Sequence, residues 1–325
     1  MTVRRGKLAA AARTGIEACL GLRPGEQVVI VSDTLRPPSV PEALAEAATG
    51  VGADAVVAVF HARAQAPGEP PSSVVEAICH ADAAILYTTA SLSHSQARIR
   101  AQQAGTRVIS APGLSEDGFR RTLSVDVPAL ADLTARLAEA VGRSRVARVR
   151  TRAGTDVTME LAHPVTAADG LCLKPGDLDF FPPGLILSVP VAGSVRGTAV
   201  VDGSITRLGR LVQPVTIEFR DGRAAAIRGG RDADRLARLL KEMDDPNVYA
   251  FAAWGMGTNP QAALRGTEPS FEGERVYGWA HLSTGSNAAF PGGTVRAKLH
   301  LDLIVTDPIV ELDGRVVLEN RKFAL

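Results

Sequence analysis

Short apolar runs alternate with helical stretches along the first half of the chain, from Glu26 to about Pro112. The runs have the length and β-branched content of buried strands, and the stretches between them have the apolar spacing of helices. In chain order these segments read QVVIVSD, SVPEALAEAATGVG, ADAVVAVF, SSVVEAICH, ADAAILYTT, SQARIRAQQAG and TRVISAPG. Such alternation is typical of a mostly parallel sheet covered by helices on both faces. We predict a doubly wound α/β domain over residues 1–145.

The pattern changes after residues 127–143, whose apolar spacing predicts one long helix. Strand-like segments with turn signals follow, and they read ARVRTRAGTDVTMELA, GLILSVPVAG, GTAVVDGSI and PVTIEFRDGRAAAIRGG. The DGR at 221–223 joins two alternating runs and predicts a β-hairpin. One helical stretch, ADRLARLLKEMDD, interrupts these segments. We predict an α+β domain over residues 146–325, with a boundary near Val146.

The composition argues against several classes of function. The formal net charge of the 325 residues is +1, which gives no electrostatic reason to expect a nucleic-acid or anionic-membrane partner. No apolar run approaches the ~18 residues needed to span a bilayer, and Arg13 and Glu17 interrupt any signal-peptide core. Three cysteines far apart suggest neither a disulfide framework nor a zinc cluster. We therefore expect a cytoplasmic protein with a small-molecule substrate.

Candidate metal ligands collect in the last 45 or so residues of the chain. His300 and Asp302 alternate in the strand-like run LHLDLIV, so their side chains should leave the same face. His281, in VYGWAHLS, can supply a third ligand if the two strands pair, with GSNAAFPGGT as the loop between them. Two imidazoles and one carboxylate leave coordination positions open, which suits catalysis. A buried histidine paired with an aspartate is the alternative interpretation.

Glu274 lies seven residues before His281 in the same run. It is a candidate for a fourth metal ligand or for a general base. Alternatively, Glu274 is a solvated charge beside Arg275.

Aromatic and amide side chains flank these ligands. Trp254, Tyr277 and Trp279 can stack on a planar substrate ring, and core packing explains them equally well. Asn259 and Asn287 are candidate polar anchors for a substrate in Gly-rich loops, although Asn is also common in turns for backbone reasons.

His94 lies in the segment SLSHSQAR, where it begins a helix with Ser91 and Ser93 as possible caps. Anions and substrate tails bind at such positions, so His94 is a second candidate for moving protons. A role in capping and packing is the alternative.

Several separated motifs, in this order, cover nearly the whole chain. They are RPGEQVVIVSD, SLSHSQARIRAQQAGTRVISAPG, AGTDVTMEL, WGMGTNPQA, and GERVYGWAHLSTGSN followed by GG and HLD. Together they resemble the aminopeptidase T family. The resemblance implies an α/β domain followed by a mixed domain, assembly into dimers or larger homo-oligomers, and metal ligands at Glu274, His281, His300 and Asp302.

The chain departs from the peptidases of that family at positions where they carry acids or a tyrosine ligand. It has Leu185, Ala192, Ala253 and Ala288 there. Losing ligands disfavours a two-metal centre. It also removes the carboxylates that would neutralise a substrate ammonium group.

The same family includes the 2,5-dihydroxypyridine 5,6-dioxygenases, in which two His and one Asp hold a non-haem iron. STGSN at 283–287 and DPNVYAFAAWGMG at 245–257 are similar to those enzymes. One of their iron-binding histidines aligns near Phe251, so His281 would have to replace it from another strand.

Three hypotheses follow. In the favoured one, His281, His300 and Asp302 hold one Fe(II), Glu274 or His94 moves protons, and the substrate is a small hydroxylated aromatic or heteroaromatic compound. In the second, the chain is an aminopeptidase or amidase that uses Zn(II)- or Mn(II)-activated water, with Glu274 as base. In the third, the fold is kept without the activity.

Overall fold

The structure, a computed structural model, describes residues 2–62, 68–162, 164–265 and 271–325. Its α-helices are α1 Thr2–Arg13, α2 Ser39–Gly50, α3 Ser72–Cys79, α4 Gln96–Gln103, α5 Glu116–Thr122, α6 Val127–Arg143 and α7 Arg231–Glu242. A π-helical turn spans Thr14–Cys19, and 3₁₀ turns span Pro246–Tyr249 and Gly273–Arg275. The strands are β1 Gln27–Asp33, β2 Asp54–Phe60, β3 Ala83–Tyr87, β4 Arg107–Ser110, β5 Val146–Arg150, β6 Asp156–Glu160, β7 Thr166–Ala168, β8 Leu178–Phe180, β9 Leu185–Ser188, β10 Arg196–Val201, β11 Ser204–Ile205, β12 Gly209–Arg210, β13 Val215–Arg220, β14 Arg223–Gly229, β15 Phe251–Gly257, β16 Ala280–Gly285, β17 His300–Val305, β18 Ile309–Leu312, β19 Arg315–Glu319 and β20 Lys322–Phe323.

The chain divides into two compact units, and the first of them is not contiguous in sequence. Unit 1 comprises Met1–Ala131, Ala168–Pro183 and Pro260–Ala262. Unit 2 comprises Asp132–Ala167, Gly184–Asn259 and Ala263–Leu325. Compared with a single boundary near Val146, this division assigns part of α6 to unit 2 and assigns two later segments, Ala168–Pro183 and Pro260–Ala262, to unit 1.

Unit 1 is built on a five-stranded parallel sheet, as the alternating pattern predicts. The strand order is β2-β1-β3-β4-β8, and every pairing in it is parallel. Buried side chains of α1, α2 and α5 cover one face, and those of α3 and α4 cover the other. β8 was not predicted from the sequence, and it joins the sheet because Leu178–Phe180 pairs with β4 about 70 residues earlier in the chain.

Unit 2 contains two antiparallel sheets that share one hydrophobic core. The eight-stranded sheet has the order β14-β13-β10-β6-β5-β18-β19-β20, and the seven-stranded sheet has the order β12-β11-β17-β16-β15-β9-β7. The core also receives apolar side chains of α6 and α7. The hairpin predicted at 221–223 is confirmed: β13 and β14 pair, and Asp221 and Gly222 both have positive φ as a tight two-residue turn requires.

The two faces of the seven-stranded sheet have different chemistry. Trp254, Leu282 and Leu303 are cross-strand neighbours that point into the core. The next residues along the same strands, Gly255 and His281, belong to the opposite face because strand side chains alternate. The polar candidates of the C-terminal region lie on this second face. No helix in the described part of the chain is long and apolar enough to cross a membrane.

Candidate metal centre

The pairing of β16 with β17 brings the candidate ligands together, as the sequence predicted. The two strands are antiparallel, with Ser283 opposite Asp302 and Gly285 opposite His300. His281 lies one pleat from Ser283, and therefore leaves the same face as Asp302. The residues between the strands form the predicted connecting loop.

Glu274, His281 and Asp302 form a buried cluster, with one ligand atom from each residue within 4.8 Å of the others. Glu274 comes from the short 3₁₀ turn before β16. Carboxylate oxygens and imidazole nitrogens at this spacing are the donor set of zinc and non-haem iron sites.

His281 is completely buried, and neither of its ring nitrogens has a hydrogen-bond partner among the described residues. Burial lowers the pKa of His281 to about 4, so the ring is neutral near pH 7 and offers a lone pair. Oε1 of Glu274 is also buried and unpaired in the described part of the chain. Buried polar atoms without partners cost about 1–3 kcal/mol each, so these unpaired atoms fit a site that is completed by a metal ion.

Glu274 is not a solvated charge, and that alternative is wrong. Its side chain is buried, and Oε2 forms an ion pair with Nη1 of the buried Arg275 at 2.8 Å. Burial raises the pKa of Glu274 to about 8 although the Arg275 guanidinium opposes this shift. At neutral pH the metal-free carboxyl group therefore carries a proton.

His300 is fixed at both ring nitrogens. Nδ1 lies 2.7 Å from the carbonyl oxygen of Ser286, and Nε2 lies 3.0 Å from Oδ1 of Asp302. Both of those oxygens accept hydrogen bonds, so the metal-free ring carries two protons. Burial alone would lower the pKa of His300, but the Asp302 carboxylate and the bond to Ser286 outweigh it and raise the pKa to about 9. Because Nδ1 is tied to Ser286, Nε2 is the nitrogen that can face a metal.

Asp302 is held by two hydroxyl groups in addition to His300. Ser283 Oγ donates to Oδ1 at 2.8 Å, and Thr206 Oγ1 donates to Oδ2 at 3.2 Å. Burial would raise the pKa of Asp302, but its contact with His300 holds that pKa well below the usual range. Ser283 and Thr206 were not identified from the sequence. Strand alternation from His281 could have revealed Ser283, whereas Thr206 lies 96 residues from Asp302 without any local signal.

Two aromatic residues of β15 point into the hydrophobic core and away from the face that carries His281. Trp254 is fully buried in the core on the face opposite His281, so its predicted contact with substrate is replaced by a packing role. Phe251, where the resemblance places an iron-binding histidine, also lies in the core and packs edge-on against Phe219. This position on β15 therefore offers nothing to the face that carries His281.

The other aromatic candidates lie on the segment before β16. Tyr277 packs its ring edge-on against Phe323, with 5.1 Å between ring centroids. Trp279 is partly buried two residues before His281, and its indole N–H has no partner among the described residues. The indole N–H of Trp254 also has no partner among the described residues, but Trp254 points into the core, so Trp279 is the aromatic candidate that remains.

The two asparagines are buried and engaged with backbone. Asn259 pairs through its main chain with the segment at Val276. The Asn287 side chain donates to Ala252 O and accepts from Val295 N. Its groups are used within the protein, which argues against the predicted role in anchoring substrate.

His94 lies in unit 1, exposed, in the turn before α4. The helix cap is Ser95, whose side chain accepts from Arg98 N, and not Ser91 or Ser93 as expected. Ser91 and Ser93 instead bond to each other through their hydroxyl groups. A proton-transfer role for His94 stays a prediction.

The positions where related peptidases carry ligands are apolar and differ in exposure. Leu185 and Ala253 are buried on β9 and β15, and Ala192 and Ala288 are exposed in turns. None of the four can supply a carboxylate or a hydroxyl group.

The parallel α/β unit, the two antiparallel sheets and the buried histidine–carboxylate cluster together define a mixed α/β protein of the aminopeptidase T type. The profile of the NicX family, 2,5-dihydroxypyridine 5,6-dioxygenase, matches residues 7–324, and the chain belongs to this family. It is 26% identical over 259 residues to the 2,5-dihydroxypyridine 5,6-dioxygenase of Pseudomonas putida, an alignment that covers 72% of this chain and 69% of that protein.

Two solved structures share the fold. The 2,5-dihydroxypyridine dioxygenase of Pseudomonas putida KT2440 superposes with a TM-score of 0.82 at 22% identity, covering 97% of this chain and 96% of that one. AmpT of Thermus thermophilus superposes with a TM-score of 0.70 at 16% identity, covering 98% and 99%. The predicted resemblance to the aminopeptidase T family and its dioxygenase members is therefore confirmed.

Proposed function

We propose that this protein is a ring-cleaving dioxygenase that acts on a dihydroxypyridine or a closely related hydroxylated heteroaromatic ring. The observation that carries the proposal is the buried cluster of Glu274, His281 and Asp302, whose ligand atoms lie within 4.8 Å of one another. In this cluster Oε1 of Glu274 and both ring nitrogens of His281 have no partner among the described residues. Membership of the dioxygenase family supports the reaction class. One divalent metal is proposed, with Fe(II) preferred over Zn(II) or Mn(II).

In this proposal His281, His300 and Asp302 hold the metal, and Glu274 is a fourth ligand or a proton carrier. A ferrous ion bound there supplies the one-electron chemistry that lets dioxygen react with an electron-rich ring. His281 offers its neutral nitrogen because burial excludes the imidazolium form. Ser283 and Thr206 hold the Asp302 carboxylate in place within the cluster through their hydrogen bonds.

Proton transfer in the site is assigned to Glu274. Its pKa of about 8 lies close to neutral pH, where a carboxyl group can both donate and accept a proton. Oε2 is paired with Arg275, and Oε1 has no partner within residues 2–62, 68–162, 164–265 and 271–325. Trp279 is the proposed donor and stacking partner for the ring, and His94 is a second candidate for proton transfer.

The apolar Leu185 and Ala253 support an oxygenase rather than a peptidase. A peptidase substrate brings an ammonium group that needs a nearby carboxylate, and these two buried positions provide none. We also propose a cytoplasmic homo-oligomer. The location is based on the cysteine usage, and the assembly on the resemblance to the aminopeptidase T family.

Metal content tests the proposal directly. Protein without a histidine tag is purified anaerobically as wild type and as the His300→Ala, Asp302→Ala double variant, with His80→Ala as a control for loss of an exposed histidine. We expect close to one iron per chain in the wild type and the control, iron loss in the double variant, and oxygen uptake with 2,5-dihydroxypyridine only where iron is kept.

Two other outcomes would overturn the proposal. If the protein binds two zinc or manganese ions per chain and its activity does not depend on oxygen, the assignment would change to a hydrolase. Absence of any bound metal from the wild type, together with no oxygen uptake after Fe(II) is added, would remove the proposed site.

A further inference from the structure

The loop between β16 and β17, residues 286–299 and here named the connecting loop, holds His300 from two sides. The Ser286 carbonyl accepts the hydrogen bond from Nδ1 of His300 at 2.7 Å. The Phe290 ring packs against the same imidazole with 5.5 Å between centroids and 64° between planes. The orientation of His300 therefore depends on where the connecting loop places Ser286 and Phe290.

Asn287 is the residue that fixes this loop to the sheet. Its side chain is buried, with Nδ2 donating to Ala252 O at 3.0 Å and Oδ1 accepting from Val295 N at 2.8 Å. Its main-chain N–H also donates to the Val295 carbonyl at 3.0 Å. One side chain thus connects the two arms of the loop to each other and to β15.

The acceptor on β15 is available because the strand pairing is irregular there. The register between β15 and β16 shifts between Phe251 and Trp254, and such an irregularity leaves a backbone group outside the regular ladder. The Ala252 carbonyl lies in this interval and accepts from Asn287.

The far arm of the loop packs closely on Asn287. A Cβ atom added at Gly293 would lie 1.8 Å from the Asn287 carbonyl oxygen and 3.0 Å from Oδ1. Only glycine lets the backbone approach this near without displacing the asparagine. Asn287 is therefore enclosed by its own loop, and both polar atoms of its side chain are engaged by backbone groups.

We propose that Asn287 is a positioning residue for the metal centre. It holds the Ser286 carbonyl, which keeps the proton of His300 on Nδ1 and directs Nε2 toward the metal position beside Asp302. A carbonyl partner on the second nitrogen is a common way of fixing the tautomer and ring orientation of a ligand histidine. This inference rests on the proposed function for the role of His300 as a ligand.

The test compares Asn287→Ala with the matched control Asn247→Ala. Asn247 is exposed, and its side chain donates one bond to the same loop at Arg296 O, far along the chain from Ser286. Metal-free proteins are titrated anaerobically with Fe(II), and the ¹⁵N shifts of the His300 ring are recorded before metal is added. We expect Asn287→Ala to bind Fe(II) about 10- to 100-fold more weakly and to show altered Nδ1 and Nε2 shifts. The control should stay within about twofold of the wild type, and KM at saturating metal should change little in both variants.

Unchanged Fe(II) affinity and unchanged His300 shifts in Asn287→Ala would refute the positioning role. A large rise in KM with normal Fe(II) affinity would refute it too, because it would make Asn287 a substrate contact. If Asn287→Ala does not fold, Asn287→Asp serves instead, since it keeps the acceptor for Val295 N and replaces the donor to Ala252 O by a second acceptor. If the wild type binds no Fe(II), the proposed function fails, while the His300 shifts of the metal-free variants still test the positioning role.

Discussion

At the scale of single residues, His281 and His300 share one sheet face but have opposite surroundings. His281 is fully buried, and its two nitrogens have no partner in the part of the chain that the structure describes, whereas His300 is bonded at both nitrogens and pairs with Asp302. The burial of His281 lowers the stability of the metal-free protein, and the bonded state of His300 raises it. Removing each ring should therefore have opposite effects on the metal-free protein.

We expect His281→Leu to raise the free energy of unfolding of the metal-free protein by about 1 kcal/mol, because it removes buried nitrogens that have no partner. His300→Leu should lower it by about 2 kcal/mol, since the Asp302 carboxylate loses its cationic partner in a buried site. This is less than the ~3–5 kcal/mol of fully buried pairs because about 23% of the His300 side chain is exposed. Urea unfolding of metal-free proteins measures both values. Destabilisation of more than about 2 kcal/mol by His281→Leu would contradict the unpaired state of its nitrogens.

The ligand candidates were predictable at this scale, and their supports were predictable only in part. Alternation in LHLDLIV placed His300 and Asp302 on one face, and the structure agrees. The burial of Glu274 beside Arg275 could not be predicted, because two adjacent charged residues in a sequence are usually exposed and nothing local indicates that this pair is buried. Thr206 reaches Asp302 through a contact between β11 and β17, which no local pattern encodes.

At the scale of elements, β15 must approach both of its neighbours closely beside the cluster. A Cβ atom at Gly255 would lie 1.8 Å from Ile186 O on β9 and 2.4 Å from Cε1 of His281 on β16. The His281 ring therefore lies over a position that has no side chain. The strand can pair on both sides only with glycine at this point.

We expect Gly255→Ala to destabilise the protein by about 3 kcal/mol or more, because the methyl group overlaps backbone on one side and the imidazole on the other. Gly50→Ala is the matched control, since Gly50 ends α2 with no atom within 4 Å of its added Cβ. The control should be neutral or more stable by up to about 1 kcal/mol. Thermal unfolding of both variants measures the contrast. Equal melting temperatures would show that β9 and β16 can move apart at no cost.

Most elements were predictable because their patterns are local. The spacing at 127–143 predicted α6 with the bounds that the structure has, and DGR predicted the hairpin of β13 and β14. β8 was missed because three residues carry too little pattern, and its partner β4 lies about 70 residues away. Packing of the connecting loop through Asn287 was missed because asparagine in a Gly-rich loop also fits an ordinary turn.

At the scale of the whole molecule, the protonation of the cluster links metal binding to stability. The pKa of His300 is raised to about 9 and that of Glu274 to about 8 in the metal-free fold. A raised pKa gives stability that is present at low pH and is lost as pH rises toward the folded value. Between about pH 6.5 and 8, the stability that His300 and Glu274 contribute therefore falls as pH rises. Asp302 stays ionised and His281 stays neutral over this range.

We therefore expect the melting temperature of the metal-free protein to fall between pH 6.5 and 8, and the affinity for Fe(II) to rise. Each proton that the metal displaces should strengthen binding by about tenfold per pH unit. Melting curves and anaerobic titrations across this range measure the two trends. Glu274→Gln should reduce the slope of log affinity against pH by about one, because one displaced proton is removed. A slope that this variant leaves unchanged would contradict the assignment of a proton to Glu274.

The return of Ala168–Pro183 to unit 1 has a consequence for the ancestry of the protein. A gene fragment that ends at Ala131 encodes four strands of the parallel sheet but not β8. Its product would leave one side of β4 open, and an unpaired strand of this kind invites association with other chains. One recombination point cannot transfer unit 1 in complete form, because strands of unit 2, such as β5 and β6, are encoded between the first two of its three segments. Exchange of unit 1 alone therefore requires several crossovers, whereas inheritance of the whole chain keeps both units complete.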